Sequence, residues 1–194
     1  MQNLNDNELM LKYQQGEYRA MDELLRRYKN PVYRFVFRLS LNMAEAQDIT
    51  QEVFLRVHKN RMSYQPSGKF STWIFSIAHN VFISRWRRQR RFLPWPTKNK
   101  DSEELAEFAS PDPSPDETVY TDELSGIVRD CVKTLPLLQR EALFLREFEK
   151  LDYDEIARIL KKSLGTVKTL IHRARLNLKE KLLPFIKETG GCNV

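Results

Sequence analysis

The sequence predicts an all-α protein of two small helical domains joined by a linker, with a helix-turn-helix in the second domain. Three observations support this fold class. Apolar residues recur at helical spacing in both halves of the chain. Glycine is scarce, with 6 in 194 residues, which argues against a turn-rich β-sandwich. Prolines, which disfavour helix, cluster between the halves at Pro94, Pro96, Pro111, Pro113 and Pro115.

The charge distribution favours a partner that is a nucleic acid. The net charge is +6, from 32 Lys and Arg against 26 Asp and Glu. The stretch from Asp101 to Glu123 holds nine acidic residues and no Lys or Arg, so the other residues carry a net charge of +15. Two basic blocks around an acidic strip predict contact with nucleic acid at two places. A basic protein with a solvated acidic loop is the alternative.

Composition also sets expectations about location. No apolar run approaches the roughly 18 residues that a membrane span needs. The first residues show no basic segment followed by a hydrophobic one, so we expect no secretory signal. Cys131 and Cys192 form neither a disulfide framework nor a zinc site by themselves. We expect a cytoplasmic protein with reduced thiols, no metal and no cofactor.

The domain boundaries follow from this pattern. We predict a first helical domain over residues 1–93, an acidic flexible linker over 94–121 and a second domain over 122–194. The linker holds prolines, acidic residues and few large hydrophobes, so it has little burial to offset the entropy of ordering.

The first domain reads as a series of amphipathic helices. A helix carrying Leu9, Met10 and Tyr13 ends at Gly16, and the next covers residues 17–28. Pro31 is predicted to open a third helix, because proline is favoured at the first helical position. A fourth covers residues 44–60, with its apolar stripe at Ile49, Val53, Phe54 and Val57. Asp48 and Glu52 lie beside that stripe with Gln51, and a solvated helix face is the plain reading of them.

The last helix of the first domain carries two kinds of aromatic residue. It is predicted over residues 71–91, with Ser71 as the N-cap. One face is apolar, and a second face carries Phe75, Phe82 and Trp86. The helix ends in RWRRQRR, with five arginines in seven residues. Aromatics among arginines suit single-stranded DNA, since bases stack on rings and guanidinium groups hold phosphates. Packing of the aromatics under neighbouring helices and a nuclear-localisation-like basic run are the alternatives.

The second domain predicts a helix-turn-helix. Helices are expected over 122–134 and 137–149, followed by a short helix 153–160, a turn 161–163 and a long helix 165–183. On the long helix, apolar residues at 167, 171, 174 and 178 share one face. The opposite arc is cationic and hydrogen-bonding, as in helices that enter the major groove. It comprises Lys168, Thr169, His172 and Arg173. A helical hairpin with a solvated basic face is the alternative.

Taken together, these segments resemble the extracytoplasmic-function (ECF) sigma factors of bacterial RNA polymerase. The likeness lies in DITQEVFLRV at 48–57, in FSTWIFSIAHN at 70–80 with the arginines that follow, and in the C-terminal stretches. Those stretches are Leu135–Pro136, QREAL at 139–143, YDEIA at 153–157 and GTVKTLIHRAR at 165–175. Their order and spacing match the family over nearly the whole chain.

The resemblance implies a sigma factor without catalysis of its own. Such a protein binds core polymerase, directs it to promoters and helps to melt the DNA. By resemblance, Asp48, Gln51, Glu52 and Phe54 match the polymerase-binding helix. Trp73, Asn80, Arg85, Arg87 and Arg88 match the helix at the single-stranded −10 element, and Lys168, Thr169, His172 and Arg173 match the helix at the duplex −35 element.

The resemblance also implies a regulatory partner, and the chain differs from many family members at two positions. Family members are usually held inactive by an anti-sigma factor, and a membrane-bound one is an option here. No small-molecule substrate is implied. Many members have Asp where this chain has Ser84, and Arg where it has Leu170. Loss of an arginine that reads guanine changes or relaxes base preference at that point.

Two other classes of protein are left open by the residues alone. A free-standing helix-turn-helix regulator needs a dimer interface and a palindromic site, and it leaves the first domain unexplained. An enzyme needs a phosphate loop, a metal cluster or a nucleophile–base pair. The sequence has no Gly-rich loop, and His58, His79 and His172 show no metal-ligand spacing.

Overall fold

A computed structural model describes residues 3–91 and 123–189, with backbone only for 90, 91, 123–125 and 186–189. The described residues form α-helices and one 3₁₀ turn, Arg61–Ser63, and no strand. The prediction of an all-α fold is confirmed. The helices are α1 Asp6–Gln14, α2 Tyr18–Ser40, α3 Met43–Lys59, α4 Phe70–Arg91, α5 Glu123–Lys133, α6 Leu137–Glu147, α7 Tyr153–Leu160 and α8 Leu164–Thr189. The predicted linker, 94–121, lies outside the described residues.

Local capping fixes several helix ends in the first domain. Asn5 accepts a hydrogen bond from the Glu8 amide at 2.9 Å, and the Glu8 carboxylate accepts one from the Asn5 amide at 2.8 Å. This reciprocal pair starts α1. Asn42 accepts from the Glu45 amide at 2.9 Å and caps the start of α3 with this single hydrogen bond. Gly16, with φ at +94°, supplies the sharp turn from α1 to α2.

The prediction that Pro31 opens a new helix is wrong. α2 runs through Pro31 without a break, from Tyr18 to Ser40. A proline inside a helix removes one hydrogen bond and costs about 3 kcal/mol. Apolar residues before and after it are buried in one core, and their packing outweighs that cost. They include Leu24, Val32, Phe35, Val36 and Leu39.

Helix α4 lies at the centre of the molecule, and this position decides the role of its aromatics. It packs against α1, α2 and α3, and also against α7 from the second half of the chain. Phe75 and Phe82 are each only 2% exposed. The Phe75 ring meets Phe35 edge-on, with ring centroids 5.3 Å apart. These two aromatics belong to the core, so the alternative of packing under neighbouring helices holds for them.

A truncation at Phe75 is expected to act through stability. Phe75→Ala removes most of a fully packed ring and should lower the free energy of unfolding by about 3–5 kcal/mol. Urea denaturation followed by circular dichroism measures the change. Arg88→Ala, an exposed site on the same helix, should stay within about 0.5 kcal/mol of the parent. A loss below about 1 kcal/mol in Phe75→Ala would place this ring outside the core.

The helix-turn-helix forms as predicted. α7 covers Tyr153–Leu160, and Lys161 begins the turn in the left-handed region at φ +53°. Ser163 Oγ accepts a hydrogen bond from the Thr166 amide at 3.2 Å, which caps α8. Val167, Ile171 and Ala174 are at most 1% exposed and form the inner face of α8.

The two halves of the chain share one hydrophobic core. α4 packs on α7, and α2 packs on α6. The core includes Phe70 and Ile74 from the first half together with Leu145, Ile156 and Ile159 from the second. We call this arrangement the closed conformation. Within the described residues, no helix combines the length and the apolar character that crossing a membrane requires.

Candidate nucleic-acid interface

Helix α3 presents an acidic face to solvent. Asp48 and Gln51 are exposed, and Asp48 Oδ2 lies 3.6 Å from Arg85 Nη1. Arg56 Nε donates to Glu52 Oε1 at 2.8 Å, and this hydrogen bond lowers the pKa of Glu52. Both carboxylates are therefore held by weak surface ion pairs that a partner can replace. This face comprises Asp48, Gln51 and Glu52, and we call it the acidic face.

Phe54 requires a correction to the sequence-based assignment. It was expected to contact polymerase together with the acidic residues of α3. Its side chain is only 8% exposed and lies in the hydrophobic core. In this structure it therefore supports α3 from within and does not form part of the acidic face.

Trp73 is half-buried on α4, between the core and solvent. Its ring packs on Tyr64, with centroids 4.8 Å apart, and on Phe70 at 5.7 Å. Asn7 holds these two neighbours in place, because its Oδ1 accepts from the Tyr64 hydroxyl at 2.7 Å and from the Phe70 amide at 3.0 Å. The part of the Trp73 surface that remains exposed is therefore carried on a fixed support.

Asn80 is also half-buried and lies two turns further along α4. Its Nδ2 donates to the Ser76 carbonyl at 2.7 Å. This bond uses one of the two amide hydrogens and orients the side chain. A carboxamide has a second hydrogen and an acceptor oxygen, so it retains the capacity to match a base edge.

The arginines at the end of α4 differ in exposure. Arg87 and Arg88 are exposed, whereas Arg85 is half-buried and faces Asp48 of α3. The structure describes only the backbone of Arg90 and Arg91. The basic end of α4 therefore adjoins the acidic face of α3, with Arg85 and Asp48 at the border.

The cationic arc of α8 is where the sequence placed it. Its four members, Lys168, Thr169, His172 and Arg173, are all exposed. Thr169 Oγ1 donates back to the Gly165 carbonyl at 3.0 Å. Leu170 is half-buried and packs on the core, so it lies at the edge of the arc. We call these four residues the basic arc.

Sequence reasoning missed two buried carboxylates between the halves. His79 Nδ1 lies 2.6 Å from Glu141 Oε1, and Glu141 is fully buried. Thr72 Oγ1 donates to Glu155 Oε1 at 2.9 Å, and Glu155 is 4% exposed. One signal was available, since Glu141 stands four residues from both Leu137 and Leu145 on the apolar stripe of α6.

These residues offer hydrogen bonds and charge. In the described ranges, 3–91 and 123–189, no three His, Cys, Asp or Glu side chains come together as a metal site. The acidic face, the exposed side of α4 and the basic arc are three separate surfaces suited to macromolecular partners.

Comparison with known families gives these surfaces a context. The family profile described as Sigma-70 region 2 matches residues 24–92, which include most of α2, α3 and α4. The profile described as Sigma-70, region 4 matches residues 125–178, which include the helix-turn-helix. The two matches fall on the two halves of the fold, in the order of the sigma-70 regions.

Similar whole proteins agree with these matches. The RNA polymerase sigma-H factor of Pseudomonas aeruginosa is 32% identical over 94% of this chain and 96% of its own length. The ECF RNA polymerase sigma factor SigW of Bacillus subtilis is 32% identical over 90% of this chain and 98% of its own. The chain belongs to the ECF sigma factors of the sigma-70 family, as the sequence resemblance predicted.

Solved structures support the fold. The sigma factor RpoE of Bartonella quintana, crystallised with the anti-sigma factor NepR, matches with a TM-score of 0.67 and 24% identity. That match covers 83% of this chain and 95% of RpoE. CnrH, solved with the cytosolic domain of CnrY, matches with a TM-score of 0.66 and 20% identity over 91% of this chain and 96% of CnrH.

Proposed function

We propose that this chain is a promoter-specificity factor that binds core RNA polymerase, directs it to a subset of promoters and helps to open the DNA. The observation that carries the proposal is the combination, in one chain, of a region 2 fold and a region 4 fold with an exposed basic arc. The proposed division of labour gives residues 1–93 polymerase binding and −10 recognition, and residues 122–194 −35 recognition. Residues 94–121 join them.

The acidic face of α3 is the proposed polymerase contact. Asp48 and Gln51 are exposed and Glu52 is half-buried along one side of the helix, while its apolar stripe is buried. Carboxylates in weak surface pairs are readily transferred to cationic groups of a partner. Core polymerase therefore has to offer a basic or hydrogen-bonding surface at this point.

The exposed side of α4 is the proposed −10 reader. Asn80 reads a base that has left the stack, and Trp73 holds the edge of the opened duplex. Arg85, Arg87 and Arg88 hold phosphates of the non-template strand. This assignment is supported by the half-exposed positions of Trp73 and Asn80 and by the arginines at the end of the same helix.

The basic arc is the proposed −35 reader, and holoenzyme binding tests it. Lys168→Ala and Arg173→Ala should each weaken binding of holoenzyme to a promoter duplex. A contact to a base costs about 1–3 kcal/mol and relaxes specificity at one position. A phosphate contact weakens all sequences alike and lowers the salt slope by about one. Lys179→Ala, which changes an exposed lysine further along α8, is the matched control.

The measurement is fluorescence anisotropy at several salt concentrations, with the promoter duplex and a scrambled duplex. Unchanged binding and unchanged promoter-dependent transcription in both variants would contradict the assignment of the basic arc. A drop of the same size in Lys179→Ala would show that the loss of binding comes from the lower net charge and not from the basic arc.

An anti-sigma factor is the proposed regulator. RpoE was solved with the anti-sigma factor NepR and CnrH with the cytosolic domain of CnrY, and both share this fold. A membrane-bound inhibitor facing the cytoplasm fits a cytoplasmic sigma factor. A pull-down with the tagged chain from its own cells should recover a stoichiometric inhibitor that blocks polymerase binding. Recovery of polymerase without any such inhibitor would contradict the proposal of an anti-sigma factor.

The proposal assigns the chain no catalysis and no cofactor. It acts through binding, and the chemistry of RNA synthesis belongs to the polymerase. The direct test is gel filtration of the purified chain with core polymerase. Co-elution in a one-to-one complex supports the proposal. Tight binding to a palindromic duplex without polymerase, together with no co-elution, would favour a free-standing regulator.

A further inference from the structure

A carboxylate of the second half is held at the first turn of the −10 helix. Glu155 of α7 receives a hydrogen bond from Thr72 Oγ1 at 2.9 Å and lies 3.2 Å from Lys69 Nζ. Thr72 is 7% exposed and Glu155 is 4% exposed, so the contact is covered in the closed conformation. Lys69 remains largely in solvent, and Asp152 Oδ2 lies 3.7 Å from its ammonium group. The first half of the chain therefore provides a lysine and a hydroxyl around one anion.

The anion is ionised, and its surroundings explain why. Burial opposes ionisation of Glu155, but hydrogen bonds from the Asp152 amide, from Thr72 and from Lys69 outweigh it and lower the pKa of the carboxyl. An ammonium group and a hydroxyl are also the donors that proteins use for DNA phosphates. The donor set that holds Glu155 is thus equally suited to a phosphate.

The position of this donor set links it to the DNA path. Thr72 immediately precedes Trp73 on α4, the helix that also carries Asn80, and Lys69 directly precedes the first residue of that helix. A strand that reaches Trp73 has to place its backbone near this first turn. An open cleft of about 570 Å³ runs beside the contact, lined by Asn7 and Lys69 on one side and by Asp152, Asp154, Glu155 and Arg158 on the other. The cleft gives a strand access to the site.

We infer that Lys69 and Thr72 form a phosphate-binding site for the non-template strand, and that the Glu155 carboxylate fills this site in the closed conformation. The inference rests on the proposed function of α4. Its consequence is competition, because the phosphate and Glu155 cannot occupy the same donors. Opening of the two halves removes Glu155 and frees the site for DNA.

The contact between the halves includes one unpaired polar atom. Glu141 meets His79 across the halves, and its Oε2 is buried without a hydrogen-bond partner among the described residues. A buried polar atom without a partner disfavours the state that buries it. The shared apolar core favours the closed conformation, so opening requires a partner, and under the proposed function that partner is core polymerase.

Binding of single-stranded DNA to the free, full-length chain tests the inference. The probe is a fluorescein-labelled 15-mer of mixed sequence, which reports backbone contacts and not base preference. Glu155→Gln keeps the shape and an acceptor for the Asp152 amide but removes the charge. It should tighten binding of the probe about tenfold, the equivalent of one charge-assisted hydrogen bond. Lys69→Ala should weaken binding and lower the salt slope by about 0.7, the value for one phosphate contact on a single strand.

Two further variants make the result specific. In the double variant Glu155→Gln with Lys69→Ala, the gain from Glu155→Gln should disappear. Glu180→Gln removes the same charge from an exposed residue on α8 that does not line the cleft, and it should leave binding unchanged. Small-angle scattering should show a larger radius of gyration for Glu155→Gln than for Glu180→Gln.

The inference is overturned if Glu155→Gln binds the probe like the parent chain. It is equally overturned if the gain persists without Lys69, or if Glu180→Gln gains as much. Transcription by holoenzyme made with the parent chain separates this failure from failure of the proposed function. If the holoenzyme is active but Glu155→Gln has no effect on DNA binding, the phosphate site is refuted and the sigma-factor assignment stands.

Discussion

Replacing both Asp48 and Glu52 with lysine is expected to weaken binding to core RNA polymerase by about a hundredfold or more, since like charges brought together at an interface cost several kcal/mol. The fold should survive the change. The ion pairs of Asp48 with Arg85 and of Glu52 with Arg56 are on the surface, where such pairs contribute little to stability. Competition with a labelled sigma factor for core polymerase measures the affinity, and circular dichroism checks the helicity.

The matched control changes charge by the same amount elsewhere. Asp22 on α2 and Glu180 on α8 are exposed, so Asp22→Lys with Glu180→Lys adds the same charge away from α3. This control should bind polymerase within about threefold of the parent, as surface changes away from a contact usually do. Unchanged affinity in the Asp48 and Glu52 variant would remove the acidic face from the polymerase interface.

Trp73→Ala and Asn80→Ala should separate two steps of promoter opening. Trp73→Ala is expected to slow strand separation by about tenfold or more while closed-complex formation changes little, since stacking on one ring contributes about 1–3 kcal/mol. Asn80→Ala should change preference at one −10 base and leave polymerase binding intact. Permanganate footprinting of unpaired thymines follows opening, and a thermal melt of each variant follows stability.

Stability needs its own control, because Trp73 packs on Tyr64 and Phe70. Phe37→Ala truncates another half-buried aromatic, on α2, whose ring stacks on Tyr33. It should lower the melting temperature to a similar degree without slowing strand separation. Normal opening in both α4 variants would show that this helix contributes packing and charge but not melting.

The elements that the sequence predicted well depend on local rules. The inner face of α8 and its basic arc follow from a 100° step per residue, and Ser163 caps the helix through a contact three residues away. The order of the helices, their approximate bounds and the exposed carboxylates of α3 follow in the same way. Such features need only the neighbours in sequence.

The features that the sequence did not predict depend on contacts distant along the chain. Helix α2 continues through Pro31 because its residues on both sides enter one core. Phe54 lies in the apolar stripe of α3, and only the family resemblance matched it to a polymerase contact. Phe75 was placed on a second face of α4, but α4 is enclosed by helices on several sides and takes that ring into the core. The contact between Glu155 and Thr72 joins residues 83 positions apart, and no local pattern signals it.

The most direct test of the account is run-off transcription of genomic DNA fragments by core polymerase, with and without the chain. The account predicts start sites that appear only when the chain is added and that share −10 and −35 sequences at a constant spacing. The same reaction with the Asp48→Lys and Glu52→Lys variant should lose them all. Identical start sites with and without the chain, in a reaction where a known sigma factor is active, would contradict its assignment as a promoter-specificity factor.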